Sequence, residues 1–210
     1  VKIGGCEAVR DLDQCKLLGA RGVMAPMIET PFALSKFKGA AEKVYGAQMN
    51  EVNWVINAET KTCHENYDEI LEVGKGFINM VGIGRVDYSG SLGLTRADIN
   101  SDLMLEKSID MADRAHAAGI MVAFGGGISF DAIPFIQAMK GHADRFETRK
   151  VHFELTDDEK QLKRGILLAM KFETLYLDAK CAYYDSMAGE DRERLVMMRE
   201  RVKKAEALVG

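Results

Sequence analysis

The stretch INMVGIGRVDYSGSLG, residues 78–93, decides how the chain is read. Its first six residues form an apolar run of the length and composition of a buried strand. The run then opens into glycines and small residues around one acid, Asp87. A carboxylate at a strand end, in a segment whose backbone can approach a ligand closely, asks for a chemical reason.

Outward from it, short apolar runs alternate with stretches of helical periodicity. Strands are expected at 1–4, 22–26, 52–57, 78–83, 120–124 and 146–153. Helices are expected at 6–18, from Pro31 to residue 45, and at 66–73, 101–118 and 131–139. Such alternation implies parallel strands joined by right-handed crossovers. The expected fold is therefore α/β, a (β/α)8 TIM-type barrel that is incomplete, with about six strands over residues 1–155. Residues 156–210 read as a long C-terminal helical extension, with Thr156 and Glu159 as a capping box and a break near Ala188–Gly189. Leu195, Met198, Val202, Ala205 and Val209 follow at 3–4–3–4 spacing. This narrow seam suits either packing on the chain's own barrel or exchange with a partner subunit.

The bulk numbers exclude several classes. The chain has 210 residues, 47% of them hydrophobic and 29% charged, with a net charge of −4. That balance leaves no basic footprint for nucleic acid. No run approaches the roughly 18–20 apolar residues of a membrane span, and the first residues lack a signal-peptide pattern. Cys6, Cys15, Cys63 and Cys181 form no C-x-x-C pair, so they are expected to be reduced, structural thiols in a cytoplasmic protein. Cys63 beside His64 is a poor nucleophile–base pair, because neighbours in sequence rarely meet in that geometry.

In an α/β barrel, functional groups stand at the C-terminal ends of strands. That rule selects Lys2, Pro26–Glu29, Asn57–Glu59 and Arg85–Asp87. Glu59 and Asp87 would face one mouth from neighbouring strands, and a hard divalent cation relieves the repulsion of two acids. The glycines around Asp87 would turn backbone N–H groups towards an anion. Two plainer readings stand beside this one: Glu59 as a helix N-terminal acid and Asp87 as a turn former.

INAETKTCHENYDEIL (residues 56–71) followed by MVGIGRVDYSGSLG (80–93) resembles the HpcH/HpaI aldolase and citrate lyase β-subunit family, of the phosphoenolpyruvate/pyruvate barrel superfamily. APMIETPFALSKF (25–37), after LLGARGV, is similar to that family's preceding strand end. The likeness covers roughly residues 1–140. It implies that Glu59 and Asp87 bind Mg²⁺ (or Mn²⁺ or Co²⁺), which chelates a 2-keto acid such as pyruvate or oxaloacetate. It further implies that the backbone around Val86 and Asp87, with Pro26, holds the substrate. The activity implied is class II aldol cleavage or condensation, in a cytoplasmic homo-oligomer whose partners are small molecules.

The pattern also departs from the family. Lys2 stands where the resemblance implies an arginine, and lysine lacks the planar fork that clamps a carboxylate; as the strand-end cation, Lys2 is the candidate catalytic residue. Two further βα units and a histidine base have no counterpart, and His64, His116, His142 and His152 read as structural or solvated. The chain is thus expected to be a truncated member. Two alternatives accompany the lyase reading: a non-catalytic ligand-binding or oligomerising protein, and a citrate lyase-like thioester enzyme. GGGIS at 125–129 reads as either a tight turn or a phosphate cradle.

Overall fold

A computed structural model describes residues 1–209, with side chains for all of these except residue 190 and those from 203 onward. The order is α1 (Val9–Leu17), β1 (Gly22–Ala25), α2 (Pro31–Tyr45), β2 (Asn53–Ala58), α3 (Lys61–Glu65), α4 (Tyr67–Gly74), β3 (Met80–Gly84), α5 (Arg85–Ser91), α6 (Asp102–Ala117), β4 (Met121–Gly125), α7 (Ile133–Ala138), β5 (Arg145–Glu147), β6 (His152–Glu154) and α8 (Glu159–Val209). The six strands lie in sequence order in one sheet. β1 to β5 pair in parallel and β6 returns antiparallel on β5. The chain forms two compact units, Val1–Ile166 and Leu167–Gly210.

Local chemistry explains the elements. Thr30 caps α2 by accepting from Ala33 N at 3.1 Å, with Pro31 in the first turn; Thr60 caps α3 in the same way through Cys63 N. On β2, side chains alternate. Trp54 and Ile56 are buried on the helix side, where Trp54 meets Tyr45 and Phe37 edge-on at ring centroids 5.0 and 5.8 Å apart. Asn57, and Glu59 just beyond the strand, share the opposite face. Helices pack in chain order, α1 on α2, α2 on α4 and α4 on α6.

The structure corrects the sequence reading at several points. Residues 1–4 form no strand; only an isolated bridge joins Lys2 to Met24. Gly4 and Gly5 favour a turn, and Asp11 accepts from Gly4 N at 2.7 Å. The expected last strand, 146–153, is a hairpin of β5 and β6, turned where Thr148 Oγ1 accepts from Val151 N. Asp87 lies in the first turn of α5 and not in a loop. Asp158 takes the cap of α8 that Thr156 and Glu159 were expected to supply, accepting from Lys160 N and Gln161 N at 2.9 and 3.1 Å. No break falls at Gly189, because α8 is continuous. Arg192 reaches back across that position to the Asp185 carbonyl at 2.9 Å.

All four histidines pair with acids: His64 with Asp110 at 2.8 Å, His116 with Asp144 at 2.9 Å, His142 with Asp113 at 2.7 Å and His152 with Glu147 at 3.2 Å. Burial alone would raise the Asp110 carboxyl, but hydrogen bonds from His64 and Arg114 hold it below the ordinary value. Asp144 is likewise held down, against its burial, by the Val122 N–H and His116. A carboxyl depressed in the folded state stabilises the fold above its unfolded pKa, about 3.9, and loses that contribution as pH falls through the lower folded value. The urea midpoint is therefore expected to fall steeply below about pH 4. Asp110→Asn should flatten that fall, and an unchanged slope would show that these pairs carry no stability.

Candidate functional site

Four residues at the C-terminal ends of neighbouring strands form a row. Glu59 follows β2, Gly84 closes β3, Gly125 closes β4 and Glu147 closes β5. Gly84 pairs with Gly125, and Gly125 with Glu147. Both glycines are required by close approach. A Cβ at Gly84 would fall 2.6 Å from Glu59 Oε2, and one at Gly125 would fall 2.9 Å from Glu147 Cγ. One step back, Gly82 stands opposite Asn57 and leaves room for its Oδ1. The glycines of GIG thus make space for the polar side chains of the strand next door.

Glu59 is 2% exposed. Its Oε1 accepts from Met27 N at 3.1 Å and its Oε2 from Asn57 Nδ2 at 2.9 Å. Met27, just after the half-buried Pro26, takes a left-handed φ of 52° to present that N–H, a strained backbone of the kind that collects at functional sites. Lys2 Nζ stands 3.7 Å from Glu59 Oε1. Glu147 is pushed above the ordinary carboxyl range by burial, partly offset by His152 and by the charge of Lys2. Lys2 is thus in contact with Glu59, and its charge is felt by Glu147.

Asp87 is exposed, three residues beyond Gly84. Its neighbour Arg85 is fully buried. The Arg85 guanidinium donates to the carbonyls of Gly125 at 3.1 Å and Gly126 at 2.6 Å, and to Asn100 Oδ1 at 2.7 Å. It lies 4.3 Å from the Phe135 ring centroid. Burial lowers its pKa to about 10, so it stays charged at neutral pH. Gly126 and Gly127, both with positive φ, pack against Val86 and Ile99 where a side chain would collide. The GGGIS segment bends beside a cavity of about 420 Å³ lined by residues that include Arg96, Asn100, Ser129 and Asp131.

Of the residues selected from sequence, Lys2 and Glu59 meet directly. Pro26 leads into the Met27 N–H that holds Glu59, and Val86 and Asp87 stand at the same end of the adjacent strand. The sequence reading missed Glu147, and it placed Asn57 and Arg85 at strand ends without giving either a role. Asn57 was legible two residues before Glu59 on one strand face, whereas nothing in sequence marks Arg85 as buried. Cys63 is no nucleophile: burial pushes its thiol up to about 12. His64 bonds Tyr88 Oη and Asp110, both committed to packing between helices.

The donor set suits a hard divalent ion. Glu59 and Asp87 offer carboxylate oxygens, and Gly84 leaves Glu59 Oε2 unobstructed by a side chain. Among the described residues no group of three His, Cys, Asp or Glu is placed to hold a metal, so an ion here would complete its shell from substrate and water, as Mg²⁺ commonly does.

The sequence model of the HpcH/HpaI aldolase/citrate lyase family matches residues 7–127. No curated protein matches the chain. Among solved structures, the HpcH/HpaI aldolase of Desulfitobacterium hafniense DCB-2 superposes with a TM-score of 0.56 at 18% identity, over 70% of this chain and 63% of that one. An HpcH/HpaI aldolase/citrate lyase family protein of Burkholderia cenocepacia J2315 gives 0.57 at 16%, over 82% and 72%. The citrate synthase SbnG gives 0.52 at 15%, over 80% and 69%. At these identities the likeness concerns the fold, and the chain spans less than two thirds of the first of these proteins.

Proposed function

The chain belongs to the HpcH/HpaI aldolase/citrate lyase family, and from that premise we propose that it is a divalent-metal-dependent carbon–carbon lyase acting on a 2-keto acid unit. The observation that carries this reading is Glu59, a buried carboxylate held by two donors over a glycine that can carry no side chain. Glu59 and Asp87 hold the ion. When bound, it supplies Lewis acidity at the keto oxygen of the substrate.

The chain's own residues do the rest. Met27 N–H and Asn57 fix the orientation of the Glu59 carboxylate, and Lys2 balances charge between Glu59 and Glu147. The first-turn N–H groups of Val86 and Asp87 lack intrahelical acceptors and receive the substrate carboxylate. In cleavage of a 4-hydroxy-2-keto acid, the C3–C4 bond breaks, its electron pair passes towards the keto group, and the 4-hydroxyl proton leaves. Glu147, raised by burial and bonded to His152, takes that proton. That proton then returns to C3 of the remaining fragment, giving pyruvate, and the other product is an aldehyde.

Calorimetric titration of Mg²⁺ or Mn²⁺, with and without pyruvate, tests the reading. Metal should bind more tightly in the presence of pyruvate, and Asp87→Ala should remove that coupling. If metal and pyruvate each fail to bind, or bind independently of one another, the lyase assignment is wrong.

A further inference from the structure

The second unit carries a surface that a single chain does not satisfy. Along α8, Leu167, Met170, Thr174, Leu177, Cys181, Tyr184, Ala188, Asp191, Leu195, Met198 and Val202 follow one another at alternating steps of three and four. That is a heptad seam of period 3.5, the spacing by which helices wind around one another. It extends the short C-terminal seam upstream to Leu167, so that residues 167–202 carry it over about 54 Å. The large apolar members, Leu167, Met170, Leu177, Tyr184, Leu195, Met198 and Val202, are all 39–57% exposed. A second apolar row, Leu168, Phe172 and Leu175, fades into Ala179, Ala182, Ser186 and Gly189, and a third, with Tyr176, Tyr183, Met187 and Met197 exposed, is broken by Lys180 and Arg194, so the heptad seam is the face sustained furthest. No described helix is long and apolar enough to cross a membrane.

Flanking charges decide what covers the seam. In a parallel, in-register pair, Glu173 would face Asp178 of the other chain and Arg194 would face Arg199, while Lys180 alone would find an opposite charge, Asp185. In an antiparallel pair with Cys181 opposite Met198, Tyr184 meets Leu195 and Leu177 meets Val202. Asp178 then faces Arg199 and Asp185 faces Arg192, each twice by symmetry, and only Lys180 opposite Arg201 is unfavourable. The single chain already joins Arg192 to its own Asp185, 3.7 Å apart, so the second copy would receive an exchanged version of an existing pair. Ala188 and Asp191 make two weak central layers related by symmetry, and polar layers of this kind fix register.

We propose that α8 binds a second copy of this chain as an antiparallel coiled coil with Cys181 opposite Met198. The seam uses no residue of the site at the strand ends, so this holds whether or not the chain is a lyase.

Sedimentation equilibrium of the whole chain should give a dimer at tens of micromolar. Leu195→Glu should weaken it by about a hundredfold or more, since it places a charge in the seam, with helicity checked by circular dichroism. Orientation is read by a short bis-maleimide on two variants lacking Cys6: one retains Cys181, and the other carries Cys181→Ser and Met198→Cys. Cross-linked dimers are expected only when the two variants are mixed. A monomer at these concentrations would overturn the proposal, and so would efficient cross-linking of the Cys181 variant with itself, which marks a parallel coil.

Discussion

Glu59→Gln is expected to leave the fold standing and to lower kcat/KM for cleavage of a 4-hydroxy-2-keto acid by at least about a thousandfold, roughly 4 kcal/mol of transition-state stabilisation. The substitution keeps the shape of the side chain. Its carbonyl oxygen can still accept from Met27 N, so the loss falls on charge and on affinity for a hard cation. Gly84→Ala reaches the same carboxylate without touching its chemistry. The new Cβ would lie 2.6 Å from Glu59 Oε2 and 2.8 Å from Glu59 Cβ, and the carboxylate is held by hydrogen bonds from Met27 N and Asn57 Nδ2. Activity should fall comparably, with stability reduced by about 1–3 kcal/mol. Steady-state kinetics beside thermal melts separate the two effects. Activity within tenfold of wild type in both variants would remove Glu59 from the reaction.

The row that frames this carboxylate shows how far sequence carries. The strand-end acids were legible because apolar runs of strand length end next to them, and the alternation of strands with helices orders the runs in parallel. The purpose of the neighbouring glycines was not. GIG read as backbone bared for an anion, whereas Gly82 and Gly84 vacate space for Asn57 and Glu59 across a strand pair. That role depends on register, which no local pattern encodes. The helical state of Asp87 was hidden in the same way. Arg85, Tyr88 and Ser89 are buried at helical spacing, but an arginine is ordinarily counted as exposed, so the periodicity vanished. In the tail, Gly189 costs a helix about 1 kcal/mol relative to alanine and invited a break. The Arg192–Asp185 contacts across it offset part of that cost, and they too are visible only in three dimensions.

Arg85→Met is expected to cost about 3–5 kcal/mol, from buried acceptors left unpaired at about 1–3 kcal/mol each, and to lower the melting temperature by roughly 10 °C or more for a chain of this size. Methionine fills part of the volume but donates nothing. The carbonyls of Gly125 and Gly126 and the Asn100 side chain would lose their donors, and buried acceptors left unpaired are costly. Arg85→Lys should recover little, because one ammonium cannot span acceptors fixed by two chain segments or replace the guanidinium over the Phe135 ring. The effect should also reach the chemistry. Arg85 joins the first turn of α5, which carries Asp87, to the turn after β4, so its loss frees the start of that helix beside Glu59. Metal-linked pyruvate binding should weaken in Arg85→Met even at temperatures where the protein remains folded. A destabilisation below about 1 kcal/mol would mean that water replaces the guanidinium at those carbonyls, and that α5 is held in place by its apolar contacts alone.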